Sequence, residues 1–544
     1  MATLVAVLAV GVALRSLTLW QSPLPFNPDG LNHARNAQRA VRTGRFPLSI
    51  MATDDLAFAA LLATVQSITG VRAVQISQPL IAVVGTVPAL VAGGVAARTS
   101  RRLGLPARRA RFAGVLAATL LAVEGFYLYR SMPVDEQTPG LSLLAIAVLA
   151  IVAAVWTSDR RWLLVALPPV LVLPPLHNLE SFVLGITSLV LVGLATVSRA
   201  RERLRTGWSV AIALAFWAYF AVYNVGLATL TPAEIIQSGR LTAAPDLLLA
   251  WVILSLCALA VVPRLHPWSK RTLLGTPFVI LFVLLALNTL GPVFPGTPTT
   301  TTGILLPAVG LLVPIGAAVW VVPSLGRALD TEATVLALLA GPLVLIGFAL
   351  SAALTPQYLD TAMRTHWFLH LPVLALAAVA CAVGFGHQLA TRQAVRTVAV
   401  CMLVLAVLVS LPVAFAGLSV HPYKGVTTTG ELSASTFAQE HVAGQWTSDN
   451  HLVRITDYRS ASVNASERTL YEWVHNPESP PPDCPVITKS SWTTVGAQFF
   501  PRPPATVAPD RLHALHADSN RIYDGGSTQS LTIVVPTEYA GAGC

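Results

Sequence analysis

Apolar residues run through this chain in stretches close to twenty residues long, separated by short loops rich in arginine and proline. The pattern predicts thirteen such segments, near 2–20, 73–97, 112–129, 139–156, 162–176, 181–198, 208–228, 246–262, 272–289, 303–322, 334–354, 369–386 and 397–416. About 20 residues are needed to cross roughly 30 Å of hydrocarbon. Backbone groups in lipid must pair within their own segment, so each run is expected to be a helix. Residues 2–20 can also be read as a signal peptide. A basic n-region and a clear A-x-A site are both missing, so a retained first span is the simpler reading. Pro168, Pro169, Pro174 and Pro175 interrupt the run at 162–198, where the count is least secure. Freed backbone groups there need protein partners, so this region is expected to lie inside the bundle.

The polar intervals are unequal. The first, 21–72, is too long for a bare connection. Asp29 can cap a helix from Gly30 to Thr43, ended by Gly44 with Pro47 beyond it. His33 lies four residues after Asp29, on the same face. A second helix is expected over Asp55–Thr69, with Thr53 and Asp54 as candidate caps; its apolar run suits the membrane surface. Arg35, Arg39, Arg42 and Arg45 suit anionic headgroups. The second loop is short and acidic: Arg130, Asp135 and Glu136 precede Pro139, which fits the first turn of the next span. Asp135 or Glu136 would also suit that helix N-terminus.

Composition agrees with a membrane protein. The chain is 54% hydrophobic and 11% charged, with mean hydropathy +0.65; about a quarter charged is usual in soluble domains. The net charge of +9 does not indicate nucleic acid, because the arginines sit mainly in short loops. Arg98 to Arg111, Arg160 and Arg161, Arg199 to Arg205, Arg264 to Arg271, Arg327, Arg392 and Arg396 all follow even-numbered segments. That bias puts the N-terminus in the cytoplasm and the C-terminus outside. From about 417 the composition changes to twelve acidic and eight basic residues. A small extracytoplasmic α/β domain is expected over 417–544. Ser435–Trp446 reads as a helix, and Leu452–Thr456 and Ser530–Val535 read as strands. Cys484 and Cys544 are its only cysteines and the pair available for a disulfide. Asn464-Ala465-Ser466 is a glycosylation sequon.

On this topology the polar clusters share one face. They are Asp29 with His33; Arg130 with Asp135 and Glu136; His177 with Glu180; and Tyr358 with Arg364. Ionisable groups near membrane depth are costly and tend to be functional. Each also has a plain structural role open to it: Asp29 as a cap, His177 as a satisfied interior group. No zinc-type spacing, phosphate-binding glycine loop or serine elbow is present.

This layout resembles the GT-C superfamily of multi-spanning glycosyltransferases, in particular archaeal-type members similar to dolichyl-phosphate-mannose mannosyltransferases. The resemblance lies in the long first loop, Pro28-Asp29 through His33 to Gly44 and Pro47, in the acidic second loop at Asp135-Glu136, and in the order of segments over 1–416. It implies a sugar transferred, with inversion, from a polyprenyl (dolichyl) phosphate donor lipid to a glycan or protein acceptor on the outer face of the cell membrane. Asp29 would act as general base. Asp135, Glu136 and His33 would orient or polarise the acceptor. Arg130 and Arg364 would clamp the phosphate, with His177, Glu180 and Tyr358 lining the donor. No metal ligand is assigned; relatives differ in cation use, and a divalent cation stays an open alternative. No WWDYG-type sequence is present, which argues against a peptide-glycosylating enzyme. The competing classes are a secondary transporter or lipid flippase, whose charges would sit mid-membrane in broken helices, and a non-catalytic sensor.

Overall fold

The computed structural model describes residues 2–48, 51, 54–157, 159–197, 202–228, 239–241, 243–295, 297, 299–325, 329–384, 393–416, 425–457, 465–499, 502–526, 531–539 and 544. Thr53, Arg199, Arg201, Arg327, Arg392 and Asn464 lie outside them. Among the described residues ten helices are long and apolar enough to cross a membrane. The count is eleven if Ala107–Val123 and Gly125–Ser131, bent by 64°, form one span. This is the architecture of a multi-pass membrane protein. The two other expected segments are also helical but shorter, Arg161–Val172 and Pro245–Ala258. Twelve residues of helix rise only about 18 Å, less than the hydrocarbon thickness.

Helices α1 (Ala2–Ser16), α2 (Asp29–Thr43), α3 (Leu56–Thr69), α4 (Ala73–Val84), α5 (Val87–Arg102), α6 (Ala107–Val123), α7 (Gly125–Ser131) and α8 (Gln137–Thr157) build the first third. Small residues decide how α5 and α6 meet. A Cβ on Gly93 would lie 2.8 Å from the Gly114 carbonyl oxygen, and one on Gly114 2.9 Å from that of Gly93. Backbone therefore meets backbone, as small-residue stripes allow in membrane helices. Helix α9 (Arg161–Val172) corrects an expectation. Only Ala166 and Pro169 on it are buried. Leu163 and Val170 are half-buried and the rest of this helix is exposed, whereas Pro174 just beyond it is buried, so the expectation holds only for the end of the proline stretch.

The break between α6 and α7 has a specific cause. Glu124 leaves helical geometry (φ −66°, ψ 123°) and its carboxylate accepts from the Phe126 and Tyr127 amides, at 2.9 and 2.8 Å. It caps α7 as an N-terminal carboxylate should. The same buried group meets His370 Nδ1 at 2.7 Å and accepts from Ser410 Oγ at 3.1 Å, which ties the bend to two later helices. Arg15, fully buried in α1, donates to Ser131 Oγ (2.7 Å) and to the Gly11 carbonyl (3.0 Å).

The C-terminal region is α/β. Strands β1 (Trp446–Thr447), β2 (Ala465–Ser466), β3 (Val486–Lys489), β6 (Ser519–Asp524) and β7 (Leu531–Pro536) form a sheet in the order β2-β1-β3-β7-β6. β1 runs parallel to β2 and β3, and β7 antiparallel to β3 and β6. β4 (Ala497–Phe499) and β5 (Arg502–Ala505) make a separate pair. Residues 452–456, expected as a strand, lie in the helix Asn450–Asp457. The expected helix at 435–446 is Thr429–His441, followed by β1. Its start is a capping box made by Thr428 and Glu431. Cys484 and Cys544 form a disulfide with Cα atoms 5.5 Å apart.

This region sits on the first loop. Leu31 of α2 belongs to its apolar core with Leu452, Ile455 and Ile533. The Asn27 amide donates to the Gly425 carbonyl at 2.8 Å, and Phe26 bridges to Val426. The first loop, the second loop and the C-terminal region thus meet at one end of the bundle, here termed the capped end.

Candidate functional site

The site forms where α2, the residues before α3, the second loop and the start of α10 (Asn178–Val197) converge at the capped end. Helix α2 is amphipathic. Leu31, His33, Ala34 and Ala37 face inward, while Arg39 and Arg42 are exposed. Gly44, at φ +68°, ends it. Asp29 is its first residue, not its cap as expected. Its carboxylate has other contacts: Arg454 Nη2 donates to Oδ1 at 2.7 Å, and Asn27 Nδ2 to Oδ2 at 3.3 Å. Asn27 holds a positive φ of +104°, a strained value for a side-chain-bearing residue. Asp29 therefore stands at the rim, about one-third exposed, under the C-terminal region.

One turn further along α2, His33 enters the buried centre. Its Nε2 lies 3.0 Å from Glu136 Oε2. The other Glu136 oxygen lies 3.6 Å from His177 Nε2, and His177 Nδ1 bonds the Glu180 carboxylate. Arg130 meets Asp135 at 2.9 Å and donates to Gln137 Oε1; the Gln137 amide donates to Asp135 Oδ1 at 2.9 Å. Gly140 admits Glu180, since a Cβ there would meet the Glu180 carboxyl carbon at 2.9 Å. His33, Arg130, Asp135, Glu136, His177 and Glu180 are thus one network. Arg364 and Tyr358 belong to a neighbouring group. Arg364 Nε donates to Asp360 Oδ1 at 3.1 Å, Arg240 reaches the other oxygen, and Tyr358 donates to the Arg240 carbonyl. Arg364 still lies within electrostatic reach of Asp135 and Glu136.

Burial and crowding of carboxylates set the proton affinities. Burial alone would lower the His33 imidazole, but the carboxylates of Asp55 and Glu136 lift it to about 10. His177 follows the same pattern: burial opposes, and Glu180 with Glu136 brings it to about 9. Burial and the Asp135 charge push Glu136 up to about 8. Asp135 goes the other way, because Arg130 outweighs its burial and holds it below the usual carboxylate range. Adjacent carboxylates thus have opposite characters, one a fixed anion and one able to carry a proton near neutrality. Such separation is typical of sites that move protons.

Below the polar network lies a small apolar cavity of about 30 Å³. It shares helices with the network. Tyr127 is one turn from Arg130, Leu141 one turn from Gln137, and Val183 one turn from Glu180. The cavity is therefore about 5 Å deeper along the same helices.

No protein-family model matches this chain, and no curated protein matches it.

Asp55, Arg454 and Asn27 were missed as site residues. Asp55 reads in sequence as the first residue of the second loop helix, behind the candidate caps Thr53 and Asp54. It is instead half-buried beside His33, and desolvation with the nearby Asp54 and Asp29 charges raises it to about 6. Arg454 lies 425 residues from its partner, and nothing local marks it. His33, Asp55 and Glu136 also bring one potential ligand atom each within 4.8 Å of one another. They are the described residues best placed to hold a cation.

Proposed function

We propose that this chain is a membrane glycosyltransferase of GT-C-like architecture that takes its sugar from a polyprenyl-phosphate donor, with the capped end on the outer face. The observation that carries this reading is the polar network stacked directly on an apolar cavity, along the same helices. A substrate suited to both has a charged head and a long hydrocarbon tail, which is the make-up of a lipid-linked phosphosugar. The gathering of charges at helix ends also favours this reading over a transporter with mid-membrane sites.

In this mechanism the acceptor hydroxyl enters at the rim, where Asp29 is reachable, and gives its proton to the Asp29 carboxylate. Its oxygen attacks the sugar C1 from the face opposite the phosphate. The C1–O bond to phosphate breaks as the new C1–O bond forms, the configuration inverts, and polyprenyl phosphate leaves. Arg130 and Arg364 balance the charge on the departing phosphate. Each already bonds one carboxylate, but a guanidinium has five donors and retains some for phosphate. Glu136, His33 and His177 orient the sugar and acceptor, and Tyr358 and Glu180 hold the surrounding shell.

The test is transfer by the purified chain in proteoliposomes supplied with polyprenyl-phosphate sugars of long and short chain. Wild type should transfer at least one sugar. Val148→Phe, which fills the cavity, should lose transfer from long-chain donors and keep it from short-chain ones. Absence of transfer from every donor, with folded protein, would overturn the reading and favour a transporter.

A further inference from the structure

The two loops that carry the site are held to each other by a side chain that takes no part in the proposed chemistry. Gln78 of α4 is 1% exposed. A side-chain amide offers an acceptor oxygen and two N–H donors, and here each is used on the backbone of a different segment. Oε1 accepts from the Phe26 amide of the first loop at 2.9 Å. Nε2 donates to the Met132 carbonyl of the second loop at 3.0 Å and to the Arg15 carbonyl, in the last turn of α1, at 3.1 Å. The Phe26 carbonyl in turn accepts from the Val134 amide at 2.8 Å. Gln78, Phe26, Val134 and Met132 therefore close a ring of hydrogen bonds across the two loops. Asp29 follows Phe26 by three residues, and Asp135 and Glu136 come directly after Val134. The backbone between Phe26 and Asp29 is strained, with Asn27 at φ +104°, and such a conformation persists only where its surroundings over-determine it. The Asn27 amide donates to the Gly425 carbonyl at 2.8 Å, while Gln78 holds Phe26 from the other side. Gly30 makes the fit close, since a Cβ there would lie 2.7 Å from Pro25 Cβ and 2.7 Å from Val134 Cβ. The start of α2 thus rests on the second loop with no space for a methyl group.

We propose that Gln78 is a positioning residue, which sets the placement of Asp29 relative to Arg130, Asp135 and Glu136. The inference rests on the transferase reading, in which the base comes from the first loop and a phosphate clamp from the second. Each loop keeps its own contacts without Gln78: Arg454 and Asn27 stay on Asp29, and Arg130 stays on Asp135. Loss of Gln78 therefore leaves the donor lipid its binding groups and moves the base. A reacting group displaced by about 1 Å can cost about a hundredfold in rate. A fall in kcat with KM unchanged marks an interaction that counts in the transition state alone. Gln78 also satisfies two carbonyls at helix ends, which is a purely structural service, and the two roles separate by experiment.

The experiment compares the full chain as wild type, Gln78→Leu and Gln78→Glu in proteoliposomes, with rates expressed per folded chain from size-exclusion profiles of the same preparations. Gln78→Leu removes every bond of the side-chain amide. Its kcat should fall at least about tenfold, with KM for the donor lipid within about threefold of wild type. Gln78→Glu keeps an acceptor for the Phe26 amide, with or without a proton on its carboxyl, and should retain at least about a third of kcat. A role confined to the helix-end carbonyls would leave Gln78→Glu no better than Gln78→Leu. Gly30→Ala, which parts the loops and leaves Gln78 in place, should lower kcat in the same way and carries the test where Gln78→Leu does not fold. Hydrogen exchange at the Phe26 and Val134 amides needs no substrate, and in Gln78→Leu it should quicken by about tenfold or more. Unchanged kcat in Gln78→Leu and Gly30→Ala, or equal kcat in Gln78→Leu and Gln78→Glu, would overturn the positioning role. Absence of transfer by wild type would remove the transferase reading, and the link between the loops would then be decided by exchange alone: unchanged exchange in Gln78→Leu overturns it.

Discussion

Replacing Arg454 by glutamine separates a functional contact from a structural one. Arg454 Nη2 bonds Asp29 Oδ1 at 2.7 Å, and the two side chains are 30% and 34% exposed. Ion pairs at that exposure are worth only about 0.2–1 kcal/mol to stability. The midpoint of thermal unfolding should therefore move by no more than about 4 °C. The contact matters differently to chemistry. It fixes one oxygen of the proposed base, and misplacing a catalytic group by about 1 Å can cost a hundredfold in rate. Transfer from the lipid-linked donor should fall at least about tenfold, near 1.4 kcal/mol in the barrier. Arg454→Lys should recover part of it by restoring the charge. The assay pairs initial transfer rates in proteoliposomes with thermal unfolding of the same preparation. Unchanged transfer would remove Arg454 from the site. A fall in midpoint well beyond 4 °C would show the contact to be structural and the magnitude argument wrong.

Other consequences follow from the fold. Glu124→Ala deprives two backbone amides, Ser410 and His370 of their buried acceptor; it should destabilise by about 3–5 kcal/mol, and a loss under about 1 kcal/mol in thermal unfolding would contradict its role at the bend. Lys489→Met leaves the buried carboxylates of Glu431 and Asp449, each 3.1 Å from Nζ, without their lysine; hydrogen exchange in β3 and β7 should quicken by an amount corresponding to about 3–5 kcal/mol. Burial opposes ionisation of Asp449, but Lys489 holds it below its ordinary 3.8. Its contribution is therefore complete above pH 3.8 and fades as the pH falls through the lower folded value, so protection of β3 should persist at pH 5. Reducing Cys484–Cys544, 60 residues apart, should cost the C-terminal region about 4 kcal/mol by loop-closure entropy; equal exchange rates in reduced and oxidised protein would contradict this.

The helical segments were legible because a long apolar run has few other solutions in lipid. The two loop helices were legible from Gly44 and from the spacing of apolar residues on α2 and α3. Where the reading failed, a local cap was overlooked or distant contacts carried the decision. Leu452 to Thr456 is rich in β-branched residues and reads as a strand. Its helix is started by Asp449, whose carboxylate accepts from the Leu452 amide at 3.1 Å, a cap that was available in the sequence. The helix Arg161–Val172 was expected inside the bundle because of its prolines, yet two buried residues hold it. At the site, the residue types of the two loops were legible, and the joining of His33 to Glu136 followed from loops facing one end. Asp55 and Arg454 were not, because their importance comes from partners far along the chain.

The most direct measurement is sugar transfer from polyprenyl-phosphate donors by wild type and Asp29→Asn, at matched amounts in proteoliposomes of known sidedness. The account predicts transfer by wild type at the capped face, and loss of at least a hundredfold in Asp29→Asn with unfolding unchanged. Full transfer by Asp29→Asn would remove Asp29 as the base. No transfer by wild type from any donor would contradict the central claim.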